Sequence, residues 1–169
     1  MFGRRRPVLT TERMVLRLPR QDDYNAWSAQ RAASLAHLTP WEPSWAADHL
    51  TRRAFTARVY WAQRSQSAGT ALPLFLLRSS DNALLGAITL DNIRRGPAQA
   101  GTIGYWIGAE FARMGYMREA VSALCYHAFT KLDLSRIESA CLPENAASRG
   151  RTDTSLAMVA LYKALGGGW

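Results

Sequence analysis

Gly104-Tyr105-Trp106-Ile107-Gly108-Ala109-Glu110-Phe111-Ala112-Arg113-Met114-Gly115-Tyr116-Met117-Arg118-Glu119-Ala120 is the stretch on which the fold turns. Its first part closes a short run of strand character, Thr102 to Ile107. Its second part opens a helix whose stripe is Met117, Val121, Leu124 and Ala128. A strand that feeds a helix through a tight loop aims the loop amides and the free N–H groups of the first helical turn at one point, where an anion is favoured. Gly115 lets backbone approach such an anion with no Cβ in the way. By spacing alone the loop is either a phosphate cradle or a plain strand-to-helix turn. It is neither a Walker A loop, since no Gly-Lys-Ser/Thr follows, nor a dinucleotide GxGxxG.

Working outward, Met14, Leu16 and Leu18 alternate in a first strand stopped by Pro19. Asp22 or Asp23 caps a helix with Tyr24, Trp27, Leu35 and Leu38 on one face, ending before Pro40. A second helix starts near Asp48, with Leu50, Ala54, Ala57 and Trp61 on its apolar face. Leu72 to Leu77 reads as a buried strand, Asp81-Asn82 as a turn and Leu84 to Leu90 as the antiparallel partner. Arg94-Arg95-Gly96-Pro97 breaks the chain before Thr102 to Ile107, and Ile137 to Leu142 returns as a strand after the helix. No repeat, low-complexity tract or linker interrupts this order, so residues 1–169 are expected to form one domain of α+β (mixed α/β) architecture.

Composition agrees with a packed domain. The 169 residues are 48% hydrophobic and 20% charged, which excludes a disordered chain. No run approaches the roughly 18 uninterrupted apolar residues of a membrane span, and Arg4 to Arg6 precede no apolar segment of a leader, so a cytoplasmic protein with no membrane partner is expected. Cys125 and Cys141 sit in no CxxC or Cys/His cluster, and His37, His49 and His127 have no metal-ligand spacing; no metal is expected. The net charge is +8, arginine-rich and spread along the chain, a field that attracts polyanions. Nucleic acid, a ribosomal surface and a phosphorylated cofactor all fit it.

The sequence resembles the GNAT superfamily of acetyl-CoA-dependent N-acetyltransferases, and within it the ribosomal-protein alanine N-acetyltransferases. The resemblance covers about residues 8 to 148. It rests on Leu16-Arg17, Thr39-Pro40-Trp41-Glu42-Pro43, Gly86-Ala87-Ile88-Thr89-Leu90, Gly104-Tyr105-Trp106-Ile107-Gly108, Gly115-Tyr116-Met117-Arg118-Glu119-Ala120 and Pro143-Glu144-Asn145-Ala146-Ala147-Ser148, in that order.

What the resemblance implies is a mostly antiparallel central sheet, splayed between its fourth and fifth strands, with helices on both faces and acyl-CoA in the gap. The family's Arg/Gln-x-x-Gly-x-Gly/Ala diphosphate loop falls on Ala112, Arg113, Met114, Gly115, Tyr116 and Met117, with Gly115 kept and Ala112 and Met117 departing from the ends of the pattern. The strand edge at Trp106 and Ile107 is then expected to pair with the pantetheine arm and to offer an oxyanion donor. Asn145 matches the asparagine that holds the pantetheine amide, and Ser148 the hydroxyl near the sulfur. Asn145 also fits an ordinary helix cap. The reaction implied is direct attack of a neutral amine on the thioester, with Ser148 the expected donor to the thiolate and Glu138, Glu110 or ordered water the base. Glu119 reads as a structural carboxylate. Cys125 as a nucleophile lacks a base, because His127, two residues on, does not face it on a helix. Trp41, Glu42, Pro43 and Trp45 fall where the family builds its acceptor wall, Trp45 equally as a plug over the core.

After Ser148 the resemblance fails. Arg149 to Trp169 offers a basic link, a helical stretch and three glycines in place of the family's last two strands, which are expected to be missing. Tyr162, in Ala160-Leu161-Tyr162-Lys163-Ala164-Leu165-Gly166, resembles the superfamily's catalytic tyrosine and is a second candidate proton donor. Ile137 to Leu142 would then be an exposed edge, and either weakened stability or a homodimer through it is expected. The functional expectation is acetyl transfer from acetyl-CoA to a protein N-terminus, that of a ribosomal protein first. The rivals are a small-amine or antibiotic acetyltransferase and a non-catalytic acyl-CoA or RNA-binding module.

Overall fold

The computed structural model describes residues 8–139. The strands are β1 (Leu9–Thr10), β2 (Met14–Arg17), β3 (Leu72–Arg78), β4 (Leu84–Arg94), β5 (Ala100–Ile107) and β6 (Arg136–Ser139). The helices are α1 (Tyr24–Ala33), α2 (Leu35–Leu38), α3 (Arg52–Ala68) and α4 (Tyr116–Thr130). The strands form one sheet in chain order, antiparallel throughout except for β5 and β6, which run parallel across the α4 crossover. Among the described residues no helix is long and apolar enough to cross a membrane.

Alternation along the strands sends side chains to two cores. Leu74, Leu76, Ile88 and Ile103 face α4, which contributes Met117, Val121, Leu124 and Ala128, the stripe expected from sequence. Phe75 and Leu77 face the other way, onto Trp27 of α1 and Phe55 and Val59 of α3. Helices therefore cover both faces, as expected of a mixed α/β sheet.

Three readings shift. A short strand, Leu9–Thr10, pairs ahead of the first expected one. The first helix is interrupted at Ser34, and its buried stripe is Trp27, Arg31, Ser34 and Leu38, while Leu35 is 49% exposed. Finally, α3 begins at Arg52, because the Thr51 hydroxyl accepts from Ala54 N–H at 3.2 Å and caps it there. Its buried apolar residues are Phe55, Val59 and Ala62, spaced i, i+4, i+7, with Ser65 continuing the stripe; Trp61 is turned partly outward. β6 is described only to Ser139, so the continuation to Leu142, the question of an exposed edge and everything beyond lie outside the described residues.

With Leu9–Thr10 counted as β1, the expected fourth and fifth strands are β5 and β6, which among the described residues pair only from Ala100 to Ile103. By contrast, β4 and β5 are held closely where Gly86 lies opposite Ile107: a Cβ on Gly86 would stand 2.2 Å from the Trp106 carbonyl oxygen. Backbone on both sides leaves nothing flexible to yield, so Gly86→Ala is expected to destabilise the fold by about 2–3 kcal/mol, the upper range of overpacking. A urea midpoint that falls with unchanged m-value is the check.

Candidate active site

The loop between β5 and α4 is built from a 3-10 turn (Ala109–Phe111) followed by Arg113 and Gly115, both in the left-handed region at φ 63° and 83°. Left-handed residues flanking an ordinary one curl successive amides toward a common centre, a geometry that suits an anion. Ala112 N–H donates to Ala109 C=O at 3.3 Å and is spent internally. The amides of Arg113, Met114, Gly115, Tyr116 and Met117 donate to no backbone acceptor among the described residues, the last two because they open α4. Among the described residues, the amides without a backbone acceptor run from Arg113 to Met117, one residue later than the loop assigned from sequence.

This loop is braced from Arg13, in the turn that precedes β2. Arg13 N–H and Nε donate to the two carboxylate oxygens of Glu119 at 3.0 and 2.8 Å, and Arg13 Nη1 donates to Met114 C=O at 3.0 Å. The same guanidinium lies 4.3 Å from the centre of the Tyr116 ring. Burial raises the Glu119 carboxyl, but hydrogen bonds from Thr11 and Arg13 outweigh it and hold the group below the usual range. Glu119 is therefore structural, as its place one turn into the helix suggested. From the other side, Ser34 Oγ accepts from Ala109 N–H at 2.9 Å, and Gln30 packs where a Cβ on Gly108 would stand.

The strand edge follows from alternation. Gly108 N–H donates to Leu85 C=O at 2.8 Å, across to β4. Trp106 shares that direction, so the N–H and C=O of Ile107 point away from β4. On that side β6 pairs with β5 only from Ala100 to Ile103, and no described residue pairs with Ile107. Of the two residues expected at the edge, Ile107 presents its peptide there, whereas Trp106 contributes its side chain to the opposite face of the sheet.

That face carries a groove of about 640 Å³ lined by Trp27, Trp61, Trp106, Phe75, Thr102 and Arg58, among others. A second recess of about 320 Å³ adjoins it, sharing Glu42 and Trp106 and adding Arg31, Trp45 and His49. Arg31, only 4% exposed, forks onto Glu42 with Nη1 to Oε1 at 2.8 Å and Nη2 to Oε2 at 2.6 Å. Its guanidinium lies 4.2 Å from the Trp45 ring centre and 4.9 Å from that of Trp106. Trp45 Nε1 donates to Glu42 Oε2 at 2.7 Å and its ring stacks on His49. Burial alone would raise the Glu42 carboxyl; the Arg31 fork and charge and the Trp45 indole overcome it and keep it low. His49 is held below its ordinary value by burial first and by the Arg31 and Arg58 charges next, so it is neutral at pH 7.

Glu42, placed by the resemblance in an acceptor wall, lines both recesses with its carboxylate committed to Arg31 and Trp45. Trp45 is part of this network rather than a simple plug. Trp41 is 41% exposed and lines neither recess. Sequence reasoning missed Arg31, although its i+4 spacing from Trp27 put a charge on the buried stripe, which is a signal of a paired, shape-setting arginine.

The remaining candidates are scattered. Glu138 is exposed at the rim, opposite Thr102, and bridges Arg94 at 3.3 Å and Arg136 at 2.9 Å. Glu110 is exposed in the 3-10 turn. Asn145, Ser148, Tyr162 and Cys141 lie outside the described residues. Cys125 is buried, and burial pushes its thiol up to about 11. It is expected to resist alkylation at pH 8 in the folded protein and to react on unfolding, as mass spectrometry with iodoacetamide would read. Among the described residues no group of three or more His, Cys, Asp or Glu side chains could hold a metal.

Comparison with known proteins places these features in context. The acetyltransferase (GNAT) domain family matches residues 13–151. The [ribosomal protein uS5]-alanine N-acetyltransferase of Escherichia coli (strain K12) is 31% identical over 154 residues, covering 88% of this chain and 78% of the relative. Among solved structures, Mycobacterium smegmatis RimJ in complex with CoA-disulfide superposes with a TM-score of 0.76 at 30% identity, covering 82% of this chain and 66% of that one. The ribosomal-protein-S5-alanine acetyltransferase from Vibrio fischeri has a TM-score of 0.78 at 24% identity over 89% of this chain and 80% of its own, a likeness of fold.

Proposed function

The chain belongs to the GNAT family of acetyltransferases, and from that premise we propose that it acetylates the N-terminal amine of a protein, a ribosomal protein first, with acetyl-CoA as donor. The observation that carries the proposal is the row of amides from Arg113 to Met117 that find no backbone acceptor among the described residues, beside the Ile107 edge that no described residue pairs on its outer side. These groups fit a diphosphate and an extended amide arm, and Arg113, exposed beside them, adds a cation. Bound acetyl-CoA supplies an activated acyl carbon.

In this reading the loop amides and Arg113 anchor the donor, and Ile107 C=O accepts from its arm as a neighbouring strand's carbonyl would. The Ile107 N–H faces the charge that develops on the acyl oxygen when the amine nitrogen attacks and the C–S bond breaks. Asn145 holds the arm; Ser148, with Tyr162 as the second candidate, gives the departing sulfur its proton; Glu138, through water, takes the proton that the amine must lose. The acceptor enters along the groove of Trp27, Trp61 and Trp106, whose wall Arg31 and Glu42 fix. The protein acts as a single domain, in the cytoplasm where such acceptors are made.

The test combines the protein, acetyl-CoA and an alanine-starting peptide and follows free thiol. Thiol release stoichiometric with N-terminal acetylation of the peptide is expected. Tight donor binding with no release above blank, for this peptide and for peptides starting with serine, would contradict the proposal.

A further inference from the structure

We propose that the outward face of α3 is a docking surface for the phosphate backbone of RNA. In chain order the helix reads Arg52-Arg53-Ala54-Phe55-Thr56-Ala57-Arg58-Val59-Tyr60-Trp61-Ala62-Gln63-Arg64-Ser65-Gln66-Ser67-Ala68: four arginines and not one carboxylate. At 100° per residue, Arg53, Ala57, Tyr60 and Arg64 share one stripe opposite the buried Phe55, Val59 and Ala62. All four are exposed, and Tyr60 is 57% exposed, an aromatic ring between two guanidiniums.

The pairing pattern sets this face apart. Arg13, Arg17, Arg31, Arg78, Arg94 and Arg136 each lie against a carboxylate. Among the described residues none of the α3 arginines does; Arg52 and Arg58 lean on the rings of Tyr24 and Trp27 instead. Two of the four occupy the first turn, where the helix dipole disfavours cations, so local stability does not account for them. Unneutralised guanidiniums spaced along about 16 Å of rigid helix suit phosphates repeated along a nucleic-acid strand. An exposed tyrosine among them adds a stacking platform for an unpaired base, which favours RNA with loops over a lipid surface or an acidic protein. Trp61 and Arg58 of the same helix line the groove. Resting on the function proposed above, the surface would bring a protein N-terminus carried on a ribonucleoprotein to the groove mouth.

The experiment measures fluorescence anisotropy of a labelled RNA stem-loop titrated with the whole protein across a salt series, with polyglutamate and phosphatidylserine vesicles as competitors. The wild type is expected to bind with a negative salt slope. Arg53→Ala with Arg64→Ala is expected to lower affinity at least about tenfold and the slope by about one per arginine removed. Tyr60→Ala is expected to weaken binding to the stem-loop more than to a blunt duplex. Thiol release with a free peptide should be unchanged in both variants, since none of the three residues lines the groove, so failure here is distinguishable from failure of the acetyltransferase reading. No binding by the wild type, equal binding by the double variant, or displacement by vesicles or polyglutamate as readily as by unlabelled RNA would overturn the proposal.

Discussion

Gly115→Val is expected to raise the KM for acetyl-CoA on the order of 100-fold while the protein stays folded. Gly115 sits at φ 83°, a conformation that a β-branched residue adopts only under strain. A Cβ there would also stand 3.3 Å from Arg13 Nη2, part of the brace that shapes the loop. Relief of either strain swings the Gly115 and Tyr116 amides off their common centre. Charge-assisted hydrogen bonds are worth about 1.5–3 kcal/mol each, and two of them give the stated factor with room for partial compensation. Loss confined to kcat, with donor KM unchanged, would show that the loop does not hold the donor. Arg13→Ala, which removes the brace and keeps every amide, is expected to have the same direction and a smaller size.

Glu42→Ala is expected to cost about 3 kcal/mol of folding stability, read by denaturant unfolding, and to raise the acceptor KM. The cost comes from Arg31: at 4% exposure it would be left with its charge uncompensated, and removing one partner of a buried pair is far more damaging than the pair's net worth. Glu42→Gln, which keeps an acceptor for Arg31 and Trp45, should recover part of it. The same cluster sets an acid sensitivity. Glu42 and His49 both have folded pKa values below their ordinary ones, so each contributes stability that is complete above its unfolded value and is lost as pH falls through the folded one. The loss should begin just below about 6.5 with His49 and deepen below about 4.5 with Glu42. A stability profile flat from pH 7 to 4 would contradict this network.

Much of the fold was legible because its elements are locally consistent. Leu72 to Leu77, the Asp81-Asn82 turn and Met117, Val121, Leu124 and Ala128 each announce one structure, and the meander of β3, β4 and β5 followed from the short connections between those strands. The helices on the groove face were less legible. Trp61 and Leu35 read as core because they are large and apolar, yet Ala62 and Ser34 take the buried positions, chosen by what α1 and α3 pack against. At the site, Gly115 and the strand before it marked a tight strand-to-helix loop, while its reading as a diphosphate loop came only from the family resemblance. Arg31 did not, since an arginine on a helix is ordinarily a solvated charge, and only the loop that returns with Glu42 and Trp45 makes it a buried one. Nor could alternation be phased from sequence at Trp106 and Ile107; the bond from Gly108 to Leu85, next to the bulge in β4, decides which of the two peptides faces outward.

The most direct measurement is amide NMR of the protein labelled with ¹⁵N, titrated with coenzyme A and, separately, with pantetheine, which lacks the diphosphate. Large downfield shifts of the Gly115, Tyr116 and Met117 amides are expected with coenzyme A and small ones with pantetheine. Saturable coenzyme A binding that leaves those amides unmoved would contradict it.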